Sequence, residues 1–391
     1  MVKAADALVC AGHRVRLVSV NNTPWMTATD AELIAKRRWT SEVIDYDAVT
    51  APALRRRTGA RFKAMKAVAA AIGPSRVPVA VAIRAYSRIH DELVRRATAE
   101  PADLIYGGST GALAAVAESA RRLGVPYGID FEDLHSAESS GPESELTNAL
   151  AARIERHVIS TARFATAGSP MIADAYAERY GVRPTAIHNT FSMVPEGTAG
   201  RHDGLRMYWF SQTLGPQRGL EDVVRAAGVA NVAAELHLRA RAIPDYLESL
   251  RRLQQSIAPK LAIVVHAPAP PDDMVALAQP YDAGLACEES HSLNRQICLT
   301  NKIFTYLAAG IPMLLSRTPA QNRLEPALGD AAFGYEIGDV TGLARTLCRL
   351  ANDAALRARS RAAARTAAER RWHWEHPEDR GALLSAVASA L

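Results

Sequence analysis

The feature that most constrains this chain is an alternation. Short apolar runs of strand length take turns with longer amphipathic stretches from one end of the sequence to the other. In the first half, apolar runs at 104–106, Tyr127–Phe131, Phe164–Ala167 and 185–188 read as strands. Between them, 112–123, 146–160 and Pro170–Tyr180 carry helical periodicity, and Gly124 and Gly181 stand where helices end. The second half repeats the grammar. Strands are expected at 205–210, 234–239, Leu261–His266, Ala283–Ala286 and 313–315, with helices at 219–230, 246–258, 271–277 and 302–309. Such alternation implies parallel sheets covered by helices on both faces. The polar stretch 195–204 interrupts it and reads as a linker. The expected architecture is α/β, with two Rossmann-like domains facing a cleft. Residues 1–195 form the first and 204–370 the second, and a helical tail at 371–391 packs back on the first. Trp372 and Trp374 are expected to pin the tail down.

The first residues break the pattern. Val2–Cys10 reads as an amphipathic helix, Gly12 ends it, and 14–20 follows as a strand. This is the second half of a β-α-β unit without its first strand. In a doubly wound sheet the first strand is central, so its loss leaves unpaired backbone in the middle. Either the fold begins on a helix, or the start lies about 15–20 residues inside the natural domain, by ordinary strand and loop lengths.

Charge and cysteine content exclude several classes. The net charge of +5 is concentrated: residues 51–96 hold eleven Lys or Arg, among them Arg55, Arg56, Arg57, Arg61, Lys63 and Lys66, against Asp91 and Glu92. A solvated helical face is the plain reading. A surface for anionic lipid headgroups or for a diphosphate-linked acceptor is the functional one. Helix-turn-helix, RRM and zinc-finger patterns are missing, which argues against nucleic acid. Four Cys without a C-x-x-C pair suit a reducing compartment. No run reaches the ~18 apolar residues of a membrane-spanning helix, and no secretory signal is visible, so a cytoplasmic protein is expected, peripheral to the inner membrane face at most.

Three segments carry the candidate chemistry. The loop 211–219 runs from a strand into a helix, whose free N–H groups and partial positive charge suit a diphosphate. Arg218 adds a cation, Ser211, Gln212 and Thr213 add hydrogen-bond donors, and Gly219 opens the helix. Glu288 and Glu289 follow the strand Ala283–Ala286, with Arg295 and Lys302 further on. A Lys at a helix N-terminus is locally unfavourable and hints at a bound anion. Finally, Asp130, Glu132, Asp133 and His135 cluster past a strand end, where they can orient a hydroxyl or take its proton. Gly107 and Gly108 would let a backbone approach closely.

Taken in order, 104–114, 128–136, 187–189, 208–219, 287–312 and 372–375 resemble a GT-B glycosyltransferase similar to family 4. The resemblance covers nearly the whole chain. It implies a sugar transferred from a nucleotide-diphosphate donor to a hydroxyl of a glycan or lipid-linked glycan, with retention, for polysaccharide biosynthesis. No Asp-x-Asp metal site is evident at a strand end, so no metal is expected and no cofactor beyond the donor. Lys302 and Arg218 would face the donor phosphates, Thr305 its ribose, and Glu288 its sugar; His135 and Asp130 would act on the acceptor side with Gly107, Gly108, Glu132 and Asp133. The sequence departs from the family pattern at Thr213, Thr305 and Ile297, where related chains carry Arg, Glu and Glu, and at Gly108, in the turn 106–109 where related chains carry a His. These departures keep two alternatives open: a non-catalytic GT-B protein that binds a sugar nucleotide, and a GT-B sugar-nucleotide epimerase.

Overall fold

The computed structural model describes residues 1–74, 76–197 and 202–391, so part of the expected linker at 195–204 lies outside the described residues. The chain divides into two compact units. The first holds Met1–His188, Ser292–Asn294 and Pro377–Leu391; the second holds Asn189–His291 and Arg295–His376.

The first unit opens with helix α1 (Val2–Cys10), stopped by Gly12 at φ +92°, where the His13 amide donates back to Leu8 at 3.0 Å. Strand β1 (Arg16–Asn21), helix α2 (Thr27–Ala35) and strand β2 (Thr40–Asp45) follow. Three helices come next: α3 (Pro52–Ile72), α4 (Val79–Tyr86) and α5 (His90–Ala97). The chain then alternates through β3 (Ile105–Gly108), α6 (Leu113–Leu123), β4 (Tyr127–Phe131), α7 (Glu145–Ile159), β5 (Phe164–Ala167), α8 (Pro170–Tyr180) and β6 (Thr185–Ala186). Ser169 caps α8 by accepting from the Ile172 amide at 3.0 Å, and Gly181 ends it at φ +74°. All pairings are parallel, yet they form two sheets: β1-β2, and β3-β4-β5-β6. Strand β2 and helix α2 were not legible in the sequence, and the helical face expected over 51–96 divides into α3, α4 and α5. In β2 only Ile44 is buried, so the strand lacks an apolar stripe.

The second unit is one continuous sheet. Its elements are β7 (Leu205–Leu214), α9 (Leu220–Ala230), β8 (Ala234–Ala242), α10 (Pro244–Ile257), β9 (Leu261–His266), α11 (Met274–Ala278) and β10 (Ala283–Ala286). Then come α12 (Leu293–Ile297), which runs on from the first unit's Ser292–Asn294, α13 (Asn301–Ala309), β11 (Met313–Ser316), α14 (Pro319–Leu328), β12 (Ala332–Tyr335), α15 (Val340–Asn352) and α16 (Ala354–Arg370). The six strands run in the order β12-β11-β10-β7-β8-β9, all parallel. Strand β7 sits in the middle, and Leu205, Met207, Tyr208 and Trp209 are wholly buried in it. Burying each such side chain removes its apolar area from water on both sheet faces, the dominant stabilising term.

The tail serves both units in turn. Trp372 packs against Phe304, and the Trp374 amide donates to Phe191 at 3.1 Å, all inside the second unit. Beyond Pro377 the chain joins the first unit, where Asp379 accepts from the His188 amide at 2.8 Å and lies 3.0 Å from its Nδ1. Helix α17 (Ala382–Ala390) packs on β5 and α1.

Candidate active site

In the second unit the candidate residues gather where β7 and β10 end. Strand β7 runs four residues past Phe210, with an irregular register between Phe210 and Thr213. Ser211, Gln212 and Thr213 therefore stand on the strand rather than in the loop expected there; Gln212 and Thr213 are exposed. The loop proper is Gly215 to Gly219. Its last residue has φ +68°, and a Cβ there would stand 3.0 Å from the Cys287 Cβ, so only glycine fits this approach of α9 to β10. The Gly219 amide, free at the helix N-terminus, donates to Glu289 at 3.3 Å.

Glu288 lies just beyond β10 and is 2% exposed. Its amide donates to Ser316 Oγ at 2.8 Å, which fixes the backbone against the neighbouring strand β11. Lys302, at the first turn of α13, donates to Glu288 Oε1 at 2.7 Å, and Arg295 stands 3.7 Å from Oε2. Burial alone would push the Glu288 carboxyl up; the charge and hydrogen bond of Lys302, then Arg295 and Arg218, bring it below its ordinary value. Oε2 is buried without a hydrogen-bond partner. An orphaned carboxylate oxygen beside three cations is costly unless a ligand donor completes it.

Thr305 is wholly buried, and its hydroxyl donates to Asn301 O at 3.0 Å within α13. Its polar group is thus engaged in the helix. Ile297 is buried too. The role of Ser316 was not read from the sequence; its only signal was a polar residue closing an apolar strand next to β10.

In the first unit the candidates lie at the ends of β3 and β4: Asp130 stands on β4 rather than past it, and Glu132, Asp133 and His135 follow. Gly107 and Gly108 are buried in β3. A Cβ on Gly108 would fall 2.3 Å from Asp130 O, and one on Gly107 would fall 2.8 Å from Val116. The close approach these glycines permit is thus to their own neighbours. Asp130 accepts from Thr166 at 2.7 Å, and Thr166 in turn meets the Tyr106 hydroxyl at 2.9 Å. Asp133 accepts from Asn294 at 2.8 Å, and Asn294 Oδ1 accepts from the Leu134 amide at 2.8 Å. The Glu132 carboxyl is pushed up by burial and by the adjacent charges of Asp130 and Asp133.

The partners of His135 lie outside the cluster expected past β4. The imidazole Nδ1 is 2.5 Å from Glu138 and 3.3 Å from Thr110, while Nε2 is buried without a partner. Burial disfavours the imidazolium, but the hydrogen bond and charge of Glu138, with Glu155 and Asp133, raise its pKa overall. The loop is held by a residue that sequence reasoning missed. Glu155, wholly buried on α7, accepts from the Ser136 amide at 2.9 Å, Tyr176 at 2.8 Å and Tyr180 at 2.7 Å. A Glu on the apolar face of a helix was the available signal. Among the described residues no group of three or more His, Cys, Asp or Glu could hold a metal ion. No helix among them is long and apolar enough to cross a membrane.

Residues 2–190 match the family described as glycosyl transferase 4-like domain. No curated protein sequence matches the chain significantly. Several solved structures share its fold. HepE of Anabaena, in complex with UDP and glucose, is 14% identical, with a TM-score of 0.64 over 96% of this chain and 98% of that one. A glycosyltransferase from Rickettsia africae is 10% identical, with a TM-score of 0.62 over 99% and 93%. The chain is also similar to TarM of S. aureus, at 9% identity and a TM-score of 0.54, covering 73% of this chain but only 55% of TarM.

Proposed function

We propose that this chain, whose residues 2–190 match the glycosyl transferase 4-like family and whose fold is shared by HepE, is a GT-B glycosyltransferase that moves a sugar from a nucleoside diphosphate to a hydroxyl of a glycan or lipid-linked glycan, with retention. The observation that carries this reading is the buried Glu288 carboxylate among Lys302, Arg295 and Arg218, its Oε2 3.7 Å from Arg295 but without a hydrogen bond. In this reading a donor hydroxyl donates to Oε2, and the diphosphate lies against Arg218 and the N-terminus of α9. The bond between the sugar's anomeric carbon and the diphosphate breaks. A bond from the acceptor oxygen forms on the same face, and the acceptor's proton passes to the departing diphosphate. Arg218 and Lys302 stabilise the charge that develops there, so neither a metal nor a protein nucleophile is required. HepE, solved with UDP-glucose, supports a sugar nucleotide as the ligand class. In this reading Asp130, Glu132, Asp133 and His135 of the first unit serve the acceptor, with Gly107 and Gly108 letting the neighbouring strand β3 lie close against β4.

Donor turnover tests this. UDP-sugars are screened by melting temperature, since a ligand that binds the folded state raises it. Release of the nucleoside diphosphate is then followed in Arg218→Ala and Lys302→Ala. Each is expected to lower kcat/KM by about a hundredfold or more, as loss of a charge-stabilising group does. Full activity in both variants overturns the assignment.

A peripheral membrane location rests on α3, which exposes Arg56, Arg57 and Lys63 together with Val68 and Ile72. Part of the basic charge is answered internally, as Arg61 pairs with Asp91 and Glu92. Sedimentation with anionic but not zwitterionic vesicles is the expected result; equal sedimentation with both removes this location.

A further inference from the structure

The two units follow one construction, and the second shows what the first lacks. In the second unit β7 leads through a loop into α9, and the sheet runs β12-β11-β10-β7-β8-β9. In the first unit α1 stands where α9 does, and β1, β2, β3, β4 and β5 follow in the places of β8, β9, β10, β11 and β12. Laid out in the same order, the first unit reads β6-β5-β4-β3, a gap, then β1-β2, with β6 an additional edge strand beyond β5. The gap is where β7 has its counterpart.

That gap is a real space. A cavity of about 510 Å³ lies there, lined on one side by Val15, Leu17 and Val18 of the β1 segment and on the other by Ile105, Tyr106 and Gly107 of β3. Met1, Ala4, Ala5 and Leu8 of α1 complete its wall. Each bordering strand is paired on one side only among the described residues, β1 with β2 and β3 with β4. Both therefore turn unpaired backbone groups toward the cavity, which is a template for another strand. Burial agrees. Every residue of β1 is only half-buried, whereas β8, its counterpart, is buried at most positions.

We propose that this slot seats one further parallel strand, supplied by polypeptide joined to Met1. Three observations select that occupant over a strand from elsewhere. Met1 itself lines the slot, so the chain there needs no long connection. A strand followed by α1 and then β1 is a right-handed β-α-β crossover, the hand that parallel connections take almost without exception. And α1 starts at the correct end: Lys3, in its first turn, feels the charges of Glu132 and Asp379, and Glu132 follows the carboxyl end of β4. The loop from the new strand into α1 would thus arrive beside Glu132, as the loop after β7 arrives beside Glu289. The seated strand is apolar on both faces, since helices cover both. It joins the two sheets into one and brings a backbone loop to the acceptor residues.

The test compares the chain started at Met1 with the chain started at the next in-frame codon upstream in its gene. The longer chain is expected to melt about 5–10 °C higher, the scale of a few kcal/mol in a unit of this size. Amide exchange at Leu17, Val18, Ile105 and Gly107 should slow by about a hundredfold or more. A second variant reads the slot directly. Ala5→Trp fills the cavity, so it should raise the melting temperature of the chain started at Met1 and lower that of the longer chain, where it meets the strand. A longer chain with unchanged exchange at these amides overturns the proposal. So does the absence of an upstream reading frame, the same sign of shift for Ala5→Trp in both chains, or a dimer of the chain started at Met1 that already protects these amides.

Discussion

The second unit buries its first strand and the first unit borders an open slot, although both are written in the same strand-helix alternation. The consequence is visible in the cores. One cluster in the second unit joins Leu205, Met207, Trp209, Leu236, Leu238, Leu285 and Leu314 across four strands. Its counterpart by β1 and β2 in the first unit is a small cluster of Ile44, Leu93, Val94 and Ala115. The same contrast governs the buried carboxylates. Glu288, in the continuous unit, is balanced by cations; Glu155, in the interrupted one, is balanced by two phenols and an amide.

The largest expected effect comes from breaking the first of these balances. Lys302→Met leaves Glu288 buried with Oε1 unpaired. Stability should fall by about 3–5 kcal/mol, as it does when one partner of a buried pair is removed. Urea unfolding checks this, and a loss below about 1 kcal/mol would mean that solvent reaches Glu288. Next is Tyr180→Phe, which takes one donor from Glu155 Oε2. Hydrogen bonds to charged groups are worth about 1.5–3 kcal/mol, and the loss should appear in the unit that carries α7 and α8. Exchange at the Ser136 amide should quicken, because the same carboxylate holds it.

A third comparison sets glycine against glycine. Gly284 in β10 and Gly108 in β3 occupy matching strands of the two units. A Cβ on Gly284 would fall 2.3 Å from the Tyr306 ring, and one on Gly108 would fall 2.3 Å from Asp130 O. Both alanine variants overpack, at about 1–3 kcal/mol each. If the slot beside β3 lets that strand shift, Gly108→Ala should cost less than Gly284→Ala. Equal melting temperatures would show β3 to be as firmly held as β10.

The alternation was legible because parallel strands are short continuous apolar runs, and 205–210 and Ala283–Ala286 are such runs. The helix at Val2–Cys10 and the strand after it were legible for the same reason, as an amphipathic stretch followed by a short apolar run. Strand β2 was not, because one buried residue leaves no pattern. Glu288, Arg218 and Lys302 could be picked out because charges at strand ends and helix starts stand out in sequence. Asn294 could not. It lies far along the chain from Asp133 and Leu134, and nothing local marks it as their partner. Thr305 was picked out by position in a motif, whereas the use of its hydroxyl within its own helix is set by geometry.

The smallest effect is one of pH, and it has opposite signs in the two units. The folded Glu288 carboxyl lies below its ordinary value, so its contribution is present above pH ~4.5 and is lost as pH falls through the folded pKa. Folded His135 lies above the ordinary ~6.5, so its contribution is complete below that pH and is lost as pH rises through the folded pKa. Acid should therefore loosen the second unit first and mild alkali the first. Amide exchange followed across pH separates the two, read at Glu288 and at Ser136. Glu138→Gln removes the anion that most raises His135. With burial then unopposed by it, the imidazole should titrate lower, and the alkaline loosening at Ser136 should vanish while the acid limb at Glu288 stays. An alkaline limb that survives Glu138→Gln would place its origin in another group, and the contrast between the units would then rest on Glu288 alone.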